Sequence, residues 1–178
     1  MTRKEPWEWA LFAAFLAAIV AVIGLGATIL LRPVWHFEAR VVLAAEPEAV
    51  YPYLVEREKR ASWQFGLLDI APLTGQGDSP GDTALLFLSA EGKRWQIDET
   101  LDAYEPPHLW RATQQGPDYR TDIEIVLTRQ AAGTALVWRE TRRYRGLFAR
   151  LMAPLDLIEN RKRLDAAFSR LAGFVAGA

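Results

Sequence analysis

The stretch GTALVWRETRRYRGLFARLMAPL, residues 133–155, contains the change from strand to helix on which the fold depends. Residues 134–144 alternate between two faces, which is typical of a strand with one buried side. Gly146 ends this strand, and from Leu147 onward apolar residues recur near helical spacing. The pattern predicts one long amphipathic C-terminal helix that packs against a sheet.

The residues before this stretch predict a meander of short strands. Alternation predicts a first strand over residues 36–43, followed by two short helices, one starting at Ala45-Glu46-Pro47 and one over residues 56–62. Later strands are predicted at residues 67–71, 84–89, 93–104, 109–114 and 119–129, with a loop at 72–82. Six or seven strands joined by short turns indicate an antiparallel sheet. The predicted fold class is therefore α+β.

An uncharged apolar stretch, WALFAAFLAAIVAVIGLGATILL, occupies residues 9–31. A helix of that length, rising about 1.5 Å per residue, spans a hydrocarbon layer of about 30 Å. We predict an N-terminal tail over residues 1–8, a single transmembrane helix over 9–31 and a domain over 36–176. A cleaved signal peptide is the alternative, because Gly24-Leu25-Gly26 resembles a cleavage site, although the apolar run continues past it.

The orientation of this helix in the membrane is nearly balanced, since Arg3 and Lys4 precede it and Arg32 and Arg40 follow it. A short basic N-terminal tail usually stays inside, so the sequence favours a domain outside the cytoplasm. The charges of the domain are uneven, with an acidic excess before residue 139 and a basic excess over residues 139–178. The two parts either neutralise each other or leave the basic part free for lipid phosphates. The arginines concerned are Arg139, Arg142, Arg143, Arg145 and Arg150.

Composition excludes several classes of function. The chain has no cysteine, so disulfides, thiolate chemistry and Cys-ligated zinc are excluded. A net charge of -1 gives no indication of nucleic-acid binding. With two histidines, a His/carboxylate metal cluster is not favoured, and we predict neither a metal nor a cofactor. The sequence does not indicate the oligomeric state.

Two stretches resemble the START/Bet v-like superfamily (SRPBCC), in particular its polyketide cyclase/dehydratase-like branch. Residues 39–63, ARVVLAAEPEAVYPYLVEREKRASW, are similar to the opening strand and two short helices of that branch. Residues 133–155 are similar to its last strand and the start of its last helix. The resemblance implies a helix-grip fold, a curved antiparallel sheet wrapped around a long helix, over about residues 36–176. It also implies a cavity for lipids, polyketides or other hydrophobic molecules, but no catalytic residue is carried over.

Strand alternation indicates which residues face that cavity. Inward positions on the strands, the end of the second short helix and the apolar residues of the last helix together give the candidate wall. Its predicted members are Trp63, Phe65, Trp95, Ile97, Thr121, Ile123, Ile125, Leu136, Trp138, Leu151 and Leu155. Aromatic side chains suit such a wall because they are rigid and adapt to flat ligands.

Two carboxylates, Glu99 and Glu140, share the inward faces of their strands. A desolvated carboxyl group is a candidate general acid or base unless a cation pairs with it. Pairing with Arg111 or Arg142 is the interpretation that the sequence favours. Three functions remain open: a membrane-anchored module that binds a hydrophobic small molecule or lipid, a cyclase/dehydratase-like enzyme using one of these carboxylates, and a protein-interaction module using the groove.

Overall fold

The computed structural model describes residues 6–90 and 92–176, which form four helices and seven strands. The helices are α1 (Pro6–Leu31), α2 (Pro47–Val55), α3 (Arg57–Trp63) and α4 (Leu147–Ala176). The strands are β1 (Val34–Leu43), β2 (Leu67–Thr74), β3 (Thr83–Ala90), β4 (Lys93–Glu105), β5 (Leu109–Gln115), β6 (Tyr119–Gln130) and β7 (Gly133–Tyr144). The predicted order of elements is confirmed.

All seven strands belong to one antiparallel sheet in the order β1-β7-β6-β5-β4-β3-β2. From β2 to β7, each strand pairs with the next one along the chain. The helices α2 and α3 lead from β1 to β2, which lie at opposite edges of the sheet, and β1 pairs with β7. The long helix α4 packs on the face that β1 and β7 present. This arrangement is the helix-grip fold that the resemblance implies.

Side chains on the concave face of the sheet follow the predicted alternation. On β4, β6 and β7 every second residue is buried, among them Ile97, Ile123 and Trp138. Phe168 of α4 lies between two tryptophans, with its ring centroid 6.5 Å from that of Trp63 and 6.5 Å from that of Trp138. These rings fill most of the space between sheet and helix, so the predicted hollow is reduced to separate cavities.

The segment after β2 differs from the prediction at its start. The loop was expected to begin at Pro72, but β2 continues to Thr74, with Pro72 opposite Ala84 of β3. Proline has no N–H group to donate to a neighbouring strand, so within sheets it is confined to edge strands, strand starts and bulges. Because β2 is the last strand of the sheet, it tolerates Pro72, and the loop starts later.

The apolar N-terminal helix projects away from the domain. Within α1, the stretch from Trp9 to Leu31 is long and apolar enough to cross a membrane, and none of it is buried inside the protein. Its last turn approaches α4, where Arg150 Nη1 lies 3.5 Å from the carbonyl oxygen of Leu30. The predicted basic flank at Arg3 and Lys4 lies outside the described residues.

The start of β7 is held against the β1–α2 turn by two small residues. The fully buried Thr134 donates a 2.6 Å hydrogen bond to the carbonyl oxygen of Ala45. Gly133 has a φ of 121°, and a Cβ built on it would lie 2.1 Å from the carbonyl oxygen of Leu43. The backbones therefore approach more closely here than any side chain permits.

We expect Gly133→Ala to lower the free energy of unfolding by more than about 2 kcal/mol, since it combines a strained φ with a backbone clash. Gly92→Ala is the matched control, because Gly92 has a φ of 77° with open space around its Cβ position. This control substitution should lower the free energy of unfolding by about 1 kcal/mol. Urea denaturation followed by circular dichroism measures both, and equal losses would contradict the close approach.

Candidate ligand-binding site

Two cavities lie on the concave side of the sheet, at opposite ends of its strands. The first, the proximal cavity, has a volume of about 130 Å³ and lies at the end where α1 joins β1. The second, the distal cavity, has a volume of about 330 Å³ and lies under α3 and the β2–β3 loop. The ends are opposite because β3 and β4 run antiparallel. The proximal cavity contacts the start of β4 and the end of β7, whereas the distal cavity contacts the start of β3.

The proximal cavity has an apolar wall from the sheet and a mixed wall from α4. The apolar lining residues are Phe65, Leu88, Trp95, Ile97, Ile123 and Trp138. The helix contributes residues at helical spacing, namely Asn160, Arg163, Leu164 and Ala167. Half-exposed Phe65 stands at its rim. A cavity of about 150 Å³ holds a benzene-sized group, so this one accepts a ring or a short chain segment rather than a whole lipid.

The predicted cavity residues divide into three groups. Phe65, Trp95, Ile97, Ile123 and Trp138 line the proximal cavity. Trp63, Ile125 and Leu136 are at most 2% exposed and belong to the packed core instead. Thr121 is fully buried and lies between Gln114 and Arg142 in the strand register, next to the cavity wall.

Leu151 and Leu155 form the third group, and the structure places them elsewhere. Their exposed fractions are 49% and 60%, and they lie on the side of α4 that faces away from the sheet. The buried Ala153 is on the opposite side of the same helical segment. The expectation that apolar residues of this helix face inward is therefore wrong for its first half.

A polar cluster centred on Arg142 closes the end of the proximal cavity. The Arg142 guanidinium pairs with Glu140 through Nη2 and donates a 2.6 Å hydrogen bond from Nη1 to Asp156 of α4. Asn160 donates to the other oxygen of Glu140 at 3.1 Å. The guanidinium carbon also lies 4.7 Å from the centre of the Tyr119 ring. The predicted Glu140–Arg142 ion pair is confirmed.

The electrostatics of this cluster keep the arginine charged and the tyrosines protonated. Burial alone lowers the pKa of Arg142, but the negative charges of Glu140 and Asp156 outweigh it and raise that pKa above its ordinary value. Burial raises the pKa of Tyr119. Burial also raises the pKa of Tyr144, and its hydrogen bond to Asp156 adds to the shift. At neutral pH both phenols are therefore hydrogen-bond donors.

Two buried polar atoms beside the cavity have no hydrogen-bond partner in the protein. These are Thr121 Oγ1 and Arg142 Nε. An unpaired buried polar group costs about 1–3 kcal/mol, so such atoms are usually satisfied by water or a ligand. Arg142 lines the cavity and Thr121 is paired with it between β6 and β7, so both atoms lie next to the cavity wall.

The proximal and distal cavities are separated by a buried ion pair. Arg60 of α3 donates from Nη1 and Nη2 to the two oxygens of Glu99 at 2.6 and 2.7 Å. Gln114 donates to Glu99 Oε2 at 2.7 Å from the proximal side. The Arg60 guanidinium also lies 4.8 Å from the centre of the Trp110 ring, which lines the distal cavity.

The partner of Glu99 differs from the predicted one. Arg111 points to the other face of the sheet, where it binds Glu124. Arg60 was missed because it lies in the charged segment REKR, which reads as a solvent-exposed helix. On α4, by contrast, the spacing of Asn160, Leu164 and Ala167 was a usable signal for a wall that faces the sheet.

One carboxylate organises the loop over the distal cavity. Asp82 Oδ2 accepts hydrogen bonds from the backbone N–H groups of four successive residues, 76–79, at 2.9–3.2 Å. Burial alone raises the pKa of Asp82, but these four donors lower it below its ordinary value. The charge of Asp82 therefore holds the loop in place.

Comparison with known proteins gives one match to a protein family. The family described as polyketide cyclase / dehydrase and lipid transport matches residues 34–173. A comparison with curated proteins finds no match to this chain.

Several solved structures share the fold at low sequence identity. Ara h 8.0201 is similar with a TM-score of 0.64 and 15% identity, over 82% of this chain and 99% of its own. A protein of unknown function from Staphylococcus aureus gives 0.63 and 13%, over 81% and 94%. The di-domain ARO/CYC StfQ of the steffimycin biosynthetic pathway gives 0.61 and 15%, over 82% and 52%, so the match covers about half of that chain.

We expect Arg60→Met to lower the free energy of unfolding by about 3–5 kcal/mol, because it leaves the Glu99 carboxylate buried without a cation. The double variant Arg60→Met/Glu99→Met should regain most of that loss. Arg111→Met is the control, since it breaks an exposed pair and should cost less than about 1 kcal/mol. Urea denaturation gives all three values, and a double variant as unstable as the single one would contradict the assignment.

We expect the stability difference between the wild type and Asp82→Asn to depend on pH. A folded-state pKa below the unfolded one stabilises the protein above the unfolded pKa, and this stabilisation is lost as the pH falls through the folded value. The wild type should therefore be more stable at neutral pH, and the difference should vanish in strong acid. Asp78→Asn, in the same loop, should show a smaller difference at neutral pH. Urea midpoints over a pH series test this.

Proposed function

Since the chain belongs to the polyketide cyclase / dehydrase and lipid transport family, we propose that it is a membrane-anchored module that binds a hydrophobic small molecule in the proximal cavity. The observation that carries the proposal is the position and lining of this cavity. It has aromatic walls, it lies at the end of the sheet next to α1, and two unpartnered polar atoms lie beside it.

The chemistry of the cavity indicates the kind of ligand. Its apolar wall favours a ring or a short hydrocarbon segment, whose burial contributes about 25 cal/mol per Å². Arg142 Nε is a donor, so the ligand should place an acceptor oxygen, such as a carbonyl or hydroxyl oxygen, near it. A longer ligand extends past Phe65, which is half-exposed at the rim.

The membrane anchor is supported by the properties of α1. A core helix of a soluble protein passes the same test of length and apolarity, but its side chains are buried, whereas none of the stretch from Trp9 to Leu31 is buried. A cleaved signal sequence is the remaining alternative. The apolar run continues past Gly24-Leu25-Gly26 to Leu31, which favours retention of the helix over cleavage.

The interior carboxylates support binding rather than acid–base catalysis. Both oxygens of Glu99 are engaged by Arg60, and both oxygens of Glu140 are engaged by Arg142 and Asn160. A carboxylate whose two oxygens both accept hydrogen bonds from side chains of the protein has no oxygen free to take a proton from a substrate. The family name covers both cyclase or dehydrase activity and lipid transport. Because both interior carboxylates are occupied by hydrogen bonds within the protein, we favour a role in binding or transport.

We expect the full-length protein, purified in mild detergent, to retain a small molecule that native mass spectrometry detects. Ala167→Leu should reduce the retained fraction at least about tenfold, because Ala167 lines the proximal cavity and the added methylenes occupy it. Ala166→Leu is the matched control on the same helix, since Ala166 is exposed. It should leave retention unchanged.

A third variant distinguishes the two cavities. Ala84 lines the distal cavity, so Ala84→Leu reduces the volume of that one alone. If the ligand is lost from Ala84→Leu and kept by Ala167→Leu, the proposed site is wrong. If no variant and no wild-type sample carries a small molecule, the binding function itself is refuted. Circular dichroism checks that all variants are folded.

A further inference from the structure

The first half of α4 carries an apolar face that nothing in the described structure covers. Its large exposed side chains are Leu147, Phe148, Leu151, Met152, Leu155 and Ile158, with exposed fractions between 39% and 77%. At about 100° per residue, these six positions fall within an arc of about 140° on the helix. They form one continuous stripe, which we call the α4 stripe.

The charges in this half of α4 lie on the opposite side. Asp156 faces the sheet, where it accepts hydrogen bonds from Arg142 at 2.6 Å and Tyr144 at 2.5 Å. Arg150 faces α1. The segment is therefore amphipathic in the reverse sense to a surface helix of a soluble protein, with its polar groups inward and its apolar groups outward.

The outward surface of α4 changes character along its length. After Ile158 the exposed positions are charged or small, including the charged Arg161, Lys162, Asp165 and Arg170. Within the described part of α4, the one large apolar exception is Phe174, which is 44% exposed and stacks on the ring of Tyr53. An apolar face confined to the part of the helix nearest α1 is unlike the scattered apolar residues of ordinary protein surfaces. This distribution is the one expected if α4 contacts an apolar medium near α1 and water further along the helix.

The position of the α4 stripe relative to α1 identifies that surrounding. The stripe begins three residues after Tyr144, whose backbone N–H donates to the carbonyl oxygen of Pro33 at 3.0 Å. Pro33 lies two residues after Leu31, where the apolar helix ends. The stripe therefore starts at the level where α1 leaves the bilayer.

Basic groups at this junction suit lipid head groups. In the described ranges 6–90 and 92–176, neither Arg145 nor Arg150 has a carboxylate within ion-pair distance. Arg139, Arg142 and Arg143, which the sequence also assigned to lipid phosphates, are instead neutralised by carboxylates of the protein. Two arginines next to an apolar stripe are typical of an interfacial helix.

We propose that the α4 stripe is embedded in the interfacial layer of the same bilayer that α1 crosses, so that the domain lies against the membrane. This inference rests on the proposed membrane anchor but not on the bound ligand. Interfacial helices bury their apolar face about 5–10 Å into the boundary between head groups and acyl chains. The proximal cavity, at the same end of the sheet, then lies next to lipid.

The test uses the full-length protein in vesicles of phosphatidylcholine with phosphatidylglycerol. Because the chain has no cysteine, Phe148→Cys and Leu155→Cys each give one site for an environment-sensitive fluorophore. Lys162→Cys, on the charged half of α4, is the control. Lipids with brominated acyl chains should quench the probes at 148 and 155 at least about twofold more than the probe at 162.

Each outcome decides the question. Strong quenching at 148 and 155 with little at 162 supports the proposal. Equal weak quenching at the three sites refutes it, and a blue-shifted emission at 148 and 155 without quenching shows that protein covers the stripe. Flotation with the vesicles tests the anchor separately. Protein that does not float refutes the anchor together with this inference, whereas protein that floats with unquenched probes refutes the inference alone.

Discussion

The fold depends on a single long helix covering the concave face of a seven-stranded sheet. Phe168 fits between Trp63 and Trp138, and Leu164 and Leu171 extend this contact along α4. A curved sheet buries its apolar face only if a partner follows the curvature, and one straight helix cannot do so at both ends of the strands. The packed centre therefore leaves space near each end, which is where the two cavities lie.

Charged side chains lie inside the domain at two places, between the two cavities and at the end of the proximal cavity. Glu99, Glu140, Arg60 and Arg142 are each less than 10% exposed, and every one is held by an ion pair. Desolvating these charges has a cost that the pairing largely offsets, so such pairs add less to stability than to the definition of the structure. In this protein the Arg60–Glu99 pair separates the two cavities.

The strands and their buried faces were predictable from the sequence because a strand has a strict period of two. Trp95, Ile97, Ile123 and Trp138 were identified in this way, and the long helix followed from its apolar periodicity. Arg60 was not predictable, because nothing local separates it from its charged neighbours; its burial depends on Glu99, far along the chain. The orientation of Leu151 and Leu155 was also missed. Periodicity reveals that a helix has an apolar face, but not whether that face turns toward protein or toward another apolar medium.

The junction between α1 and β1 has a mechanical consequence. Only Arg32 and Pro33 separate the two elements, and a fully extended pair of residues reaches about 7 Å. Arg32 stacks over the Trp35 ring at 4.5 Å, and Pro33 is hydrogen-bonded to Tyr144, so even this short connection is fixed at both sides. A change in the angle of α1 therefore moves the β1 edge of the sheet with it, because the connection between them is too short and too well held to bend freely. The domain therefore keeps its orientation relative to α1, and the direction of this helix sets the direction of the strands.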